Sequence, residues 1–162
     1  MITKSRKAVA GIFAGALALS LGAAPADAVN INTHGSICQA AMGTQRADIN
    51  VFINQGVVNV NAAARTVTCA VPRSPLGSSA TSAQFFVDGD NFNGQQIICI
   101  LSSYQFDGTL LGSIGFNSSA AHYDQLLTLP LAQVPTFAYV TLGCQLAGNS
   151  NSMLRGITAV QP

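Results

Sequence analysis

The sequence predicts an all-β fold, an antiparallel β-sandwich of about eight strands, Greek-key or jelly-roll-like in its connections and stapled by disulfides. Three observations predict it. Apolar residues recur at every second position in short runs that stop at Gly, Pro, Asn or Asp, the period of a half-buried strand. No amphipathic helical pattern follows residue 28. Four cysteines, Cys38, Cys69, Cys99 and Cys144, are spaced through the same stretch.

The runs follow one another along the chain. Ile49, Val51 and Ile53 alternate with Asn50, Phe52 and Asn54, Gln55-Gly56 supplies a turn, and Val58 and Val60 begin the return. From Arg65, residues Val67, Cys69 and Val71 share a face until Pro72-Arg73-Ser74-Pro75 ends the run, because proline offers no amide to a ladder and restricts its neighbour. Ser74 to Ser82 reads as a small, mobile connection. Ala83, Phe85 and Val87 form the next inward set, and Asp88 to Gly94 reads as a loop of residues that tolerate left-handed backbone. Ile97-Ile98-Cys99-Ile100-Leu101 is apolar on both faces, the pattern of a strand covered on both sides. Asp107-Gly108 is the clearest hairpin turn, joining Tyr104 and Phe106 to Leu110 and the Gly112–Phe116 region. Asn117 to Gln125 breaks the alternation and reads as a loop or a short helical turn. Leu127 and Leu129 lead into Pro130, and after Pro135 the stretch Phe137 to Leu146 is the longest run, with Val140, Leu142, Cys144 and Leu146 on one side. Gly148 to Ser152 reads as a polar loop, and Ile157 to Val160 as a last strand beside a glycine bulge at Gly156. Cys69, Cys99 and Cys144 all fall on predicted inward faces.

Lys4, Arg6 and Lys7 precede an apolar stretch from Ala8 to Gly22, and Ala26-Asp27-Ala28 places small residues where a signal peptidase reads them. Residues 1–28 are therefore read as an export signal and 29–162 as a single β-sandwich domain, with Ala24 a second candidate end. The apolar stretch is shorter than the ~20 residues needed to span a bilayer, so no stable membrane insertion is expected after cleavage. The mature chain keeps four arginines against five aspartates, a net charge of −1, with no Lys and no Glu. Four scattered arginines make no basic face, which excludes nucleic acid as the default partner. Hydrophobic residues make up 49% of the chain, too many for a disordered one.

An even number of cysteines in an exported small domain reads as two disulfides that pin the layers together. Their intervals of 31, 30 and 45 residues contain no close pair of the kind that forms half of a zinc site. Three pairings are open, and Cys38 with Cys69 and Cys99 with Cys144, the neighbours in sequence, is the favoured one.

Cys69 with Val71-Pro72-Arg73, the Cys99-Ile100-Leu101 strand, Leu142-Gly143-Cys144-Gln145-Leu146 and the closing Leu154-Arg155-Gly156-Ile157 carry a resemblance to small exported bacterial β-rich proteins with four cysteines. The resemblance implies an exported β-rich domain, and the export signal with the cysteine count a secreted or periplasmic location. The resemblance brings no activity, ligand or catalytic residue.

The chain offers few groups for chemistry. Ser118 or Ser119 with His122 and Asp124 is the one local set of nucleophile, base and carboxylate, although a triad compressed into seven residues is geometrically awkward. His34 lies four residues before Cys38, but an oxidised cysteine supplies no thiolate to a metal. Asp88, Asp90, Asn91 and Asn93 gather oxygen-bearing side chains of the type calcium uses, but Phe92 stands at the fifth, ligand position of an EF-hand loop and there is no distal Glu. Aromatic stacking platforms for sugar are sought among Phe52, Phe86, Phe92 and Tyr139, there being no Trp. Neutral Ser, Thr, Asn and Gln supply 44 of the 134 mature residues, which suits a passive extracytoplasmic module better than a catalyst. The resulting expectation is an exported non-enzymatic component, structural, adhesive or ligand-binding, with no cofactor, and with a surface glycan or self-association as its partner. The alternatives are a carbohydrate-binding module and a small secreted hydrolase using His122.

Overall fold

Alternating side chains build eleven strands in the computed structural model, which describes residues 30–73 and 80–160. The expected export signal and residues 74–79 of the expected mobile connection lie outside the described residues. In chain order the strands are β1 (Asn30–His34), β2 (Gln39–Ala40), β3 (Ile49–Phe52), β4 (Gly56–Asn59), β5 (Arg65–Ala70) and β6 (Ser82–Asn91). There follow β7 (Ile97–Tyr104), β8 (Leu110–Ser118), β9 (His122–Pro130), β10 (Tyr139–Leu146) and β11 (Ser152–Val160). Three short 3-10 turns, Gly35–Ile37, Gly43–Asp48 and Leu131–Gln133, join some of them.

The strands form two antiparallel sheets. One has the order β3-β4-β11-β6-β9 with β1 also on β11, and the other β2-β5-β10-β7-β8. The pairings β7 with β8, β6 with β9, β5 with β10 and β4 with β11 are nested, and successive pairs fall in alternate sheets. This is a jelly roll, one of the two connectivities expected.

Inward faces meet in a single core. Val67, Cys69, Ile97, Cys99, Leu101, Leu142, Cys144 and Leu146 of one sheet pack toward Val57, Phe85, Val87, Leu127, Leu129, Leu154 and Ile157 of the other. Each large apolar side chain buried there contributes roughly 1.5–3 kcal/mol. Two buried polar side chains bond to backbone carbonyls. Tyr123 donates its hydroxyl to the Met153 carbonyl at 2.8 Å, and Asn59 Nδ2 donates to Ala63 and Leu146 carbonyls.

Cys38 is bonded to Cys69 and Cys99 to Cys144, the pairing of neighbours in sequence. Their position corrects the expectation that they pin layer to layer. Cys99 and Cys144 are register partners on adjacent strands, and Cys38 immediately precedes β2, which pairs with β5 at Cys69's end of the ladder. Both bridges staple the five-stranded sheet, and the layers are held to each other by packing.

Several expected boundaries move. Asp88 to Asn91 continue β6 instead of forming a loop, because each finds a partner on β9 or β11. Asn117 to Gln125 is neither loop nor helix. β8 runs to Ser118, β9 starts at His122, and three residues turn between them. β11 begins at Ser152, earlier than expected, and its ladder slips between Leu154 and Gly156, where a bulge was read. The Asp107-Gly108 hairpin is observed, Gly108 at φ 86 and Asp107 accepting from the Thr109 amide, with Phe106 in the turn instead of the strand.

Candidate functional site

The two outer faces of the sandwich differ in chemistry. On the six-stranded sheet, alternate residues of β6 and β9 put Asp88 opposite Asp124 and Asp90 opposite His122. The slip in β11 leaves Arg155 out of register and free to turn to the same place. Asp90 is 2% exposed, and both its oxygens are used. His122 Nδ1 pairs with Oδ1, and Arg155 Nε donates to Oδ2. Burial, then the Asp124 charge, holds the Asp88 carboxyl above the ordinary carboxylate range. Beside Asp88 an open cleft of about 410 Å³ passes over Gly156, reaching His34, Asn54 and Arg155.

This face collects several residues singled out in the sequence, in a different arrangement. His122 takes Asp90 as its carboxylate, 32 residues away, and Asp124 instead faces Asp88. Among the described residues no serine hydroxyl bonds to His122. Ser118 Oγ accepts from the Ala120 amide. The four oxygen-bearing residues considered for calcium do not converge. Asp88 and Asp90 lie on the outer face, Asn91 turns inward to donate to the Ser118 and Ala120 carbonyls, and Asn93 donates to Asn151. Among the described residues no group of three or more His, Cys, Asp or Glu is placed to hold a metal ion. His34 Nδ1 accepts from the Ser36 amide, and Cys38 is in its disulfide.

The outer face of the five-stranded sheet carries no charged side chain on its strands. Every second residue of β5, β7, β8 and β10 points there, and the ladder aligns Thr68, Gly143, Ile100 and Gly115 in one row across four strands. The absence of a side chain at Gly143 matters. A Cβ built there would have one neighbour within 4 Å, so the middle of the face stays open. The result is a groove of about 470 Å³ along β10, floored by Thr141, Gly143 and Gln145. Thr66 and Thr68 form one wall, Ile98 and Ile100 the other, and Tyr104 stands at one end. Tyr139, 63% exposed, is the register partner of Tyr104 on the adjacent strand.

Here the structure corrects the reading of Ile97–Leu101. Ile97, Cys99 and Leu101 are buried, but Ile98 and Ile100 are 43% and 52% exposed, because nothing in the chain packs over this face among the described residues. The aromatic candidates do not form one patch. Phe52 ends β3, Phe86 lies on the charged face, Phe92 follows β6, and only Tyr139 lies on the face of the groove, outside its lining and in register with Tyr104. Tyr104 was missed as its companion. The parity of Ile98, Ile100, Ser102 and Tyr104 along one strand would have found it. A larger hollow of about 600 Å³ beside β2 and β3 contains Arg46 but no aromatic ring and no carboxylate.

No protein-family model matches the sequence, and no curated protein matches it. Solved structures share its fold. A native family 35 carbohydrate binding module from Clostridium thermocellum superposes with a TM-score of 0.51 at 12% identity, over 83% of this chain and 99% of that one. The CBM36-1 domain of a multidomain xylanase from the hindgut metagenome of Trinervitermes trinervoides gives 0.49 at 9% identity, over 81% and 96%.

Proposed function

We propose that this chain is an exported, non-enzymatic glycan-binding module that holds a neutral polysaccharide along β10. The observation that carries the reading is the uncharged groove ended by Tyr104, with exposed Tyr139 its register partner on the same face. A sugar ring has apolar C–H faces and a rim of hydroxyls. A groove with isoleucine on one wall, threonine on the other and Tyr104 at its end, with exposed Tyr139 in register on the next strand, offers partners for both. Its lack of charge favours a neutral polymer over an acidic one. The fold shared with a carbohydrate binding module is consistent with this use of the sandwich, and the two disulfides with an oxidising, extracytoplasmic location.

Titration calorimetry and affinity electrophoresis against soluble xylan, mannan and hydroxyethylcellulose test the proposal. Tyr139→Ala and Tyr104→Ala should each weaken binding roughly 2- to 12-fold, the range of about 0.5–1.5 kcal/mol for a lost aromatic contact. No binding of any neutral polysaccharide by the intact chain, or binding by both variants as tight as that of the intact chain, would overturn it.

The second reading, a small hydrolase using His122, draws on the Asp90–His122 pair, in which a buried carboxylate orients an exposed imidazole. Hydrolysis of ester or glycoside substrates that His122→Ala abolishes, with folding intact, would replace the binding proposal with this one.

A further inference from the structure

Sheet edges expose unpaired amides and carbonyls, and folded chains usually protect them with charge, proline, shortness or a cover. The edges here are protected unequally. β2 has two residues, β3 four and β1 five. β9 has nine but carries His122 and Asp124 and ends in Pro130. β8 also has nine, Leu-Leu-Gly-Ser-Ile-Gly-Phe-Asn-Ser, with neither a charge nor a proline. It pairs with β7 on one side, and nothing in the sheet pairs with its other side. Among the described residues the Ser118 carbonyl, which accepts from Asn91, is the one backbone group of β8 bonded outside that ladder.

Four apolar side chains on this strand, Leu110, Leu111, Ile114 and Phe116, are incompletely covered. Ile114 and Phe116 pack against the core from its rim and stay half-exposed. Their spacing makes the strand self-complementary. If β8 pairs antiparallel with β8 of a second copy about a two-fold axis at Gly115, Ile114 of each copy falls opposite Phe116 of the other. That pairing of a β-branched residue with an aromatic one is among the favourable cross-strand combinations. On the outer face Ser113 then falls opposite Asn117, two neutral hydrogen-bonding groups, and Gly115 opposite Gly115. No like charges meet, because the strand has none.

We propose that β8 is a dimerisation edge, and that two copies join through it into a continuous ten-stranded sheet. A two-fold contact of this kind is closed, so it ends at the dimer and does not propagate. The two uncharged faces become one surface, with the β10 grooves lying five strand spacings apart, about 24 Å. The inference concerns assembly, is independent of the glycan proposal, and can be tested without ligand.

Sedimentation velocity on the mature chain over a range from micromolar to millimolar concentration should show a reversible monomer–dimer equilibrium. Ser113→Lys with Asn117→Lys in one chain places lysine opposite lysine at two points and should leave only monomer. Mixing that chain with one carrying Ser113→Asp and Asn117→Asp should restore dimer, which a merely misfolded variant could not do. Register is tested separately. Ser113→Cys mixed with Asn117→Cys should form a disulfide-linked heterodimer under mild oxidation, whereas either alone should not. Intact chain that stays monomeric at every concentration, or a dimer that survives the double lysine substitution, would overturn the proposal.

Discussion

Asp88 illustrates how one side chain registers the surface around it. Burial, followed by the facing Asp124, raises its proton affinity in the folded state above that in the unfolded chain. The folded protein therefore binds more protons across the window from about pH 4 up to the raised value, and stability falls as pH rises through it. Below that window both states are protonated and the difference disappears. Asp88→Asn should stabilise the protein at pH 7 by about 0.2–1 kcal/mol, the range for relieving like charges opposite one another on paired strands. Thermal melts at pH 7 and pH 3.5 should show the gain at the first and lose it at the second. Asp90 behaves differently because both its oxygens are committed, to His122 and Arg155. Gly89, between them, is fixed by space. A Cβ there would lie 2.1 Å from the Met153 carbonyl oxygen and from the Tyr123 hydroxyl. Gly89→Ala should break the Tyr123–Met153 hydrogen bond and cost roughly 1–3 kcal/mol by overpacking, read as a lower denaturation midpoint.

The individual strands show what periodicity conveys. Inward positions of β5, β6, β7 and β10 were legible, since Cys69, Phe85, Cys99 and Leu142 are all buried where alternation placed them. Alternation did not reveal whether the opposite face is covered. Ile98 and Ile100 have the same local signal as a doubly buried strand, and the difference lies in residues distant in sequence. β6 and β9 were shortened at the Asp-rich ends for a related reason. Aspartate and asparagine favour turns when their side chains bond locally, but Asp90 is engaged by Arg155, 65 residues away. The disulfides belong to this scale too. The Cys99–Cys144 bridge closes a separation of 45 residues and Cys38–Cys69 one of 31, each contributing roughly 4 kcal/mol in the chain-entropy account. That is a large share of the about 5–15 kcal/mol typical of a domain, so reduction should lower the melting midpoint sharply. An unchanged midpoint in reductant would show that packing alone suffices.

At the scale of the whole molecule the sandwich keeps its two outer surfaces chemically apart. The outer face of the six-stranded sheet carries Asp88, His122, Asp124 and Arg155 with Asp90 buried beneath them, while the outer face of the five-stranded sheet carries no charge. Glycan binding on the uncharged face should therefore be nearly independent of ionic strength. Calorimetry at 0.05 M and 0.5 M salt should give the same affinity, whereas an acidic polymer held by the charged residues of the other face would be lost by screening.

The sequence by itself determined the all-β class, the inward residues and the oxidised, charge-poor character of the chain, because alternation, turn residues and composition are local or summed properties. It also made the sequence-neighbour cysteine pairing the favoured choice without deciding it. The tertiary structure decided which faces are covered, that Asp90 and not Asp124 partners His122, that both bridges serve one sheet, and that Tyr104 adjoins Tyr139. Those depend on register between strands far apart in the chain, and register is set when the layers pack, which no short window of residues contains.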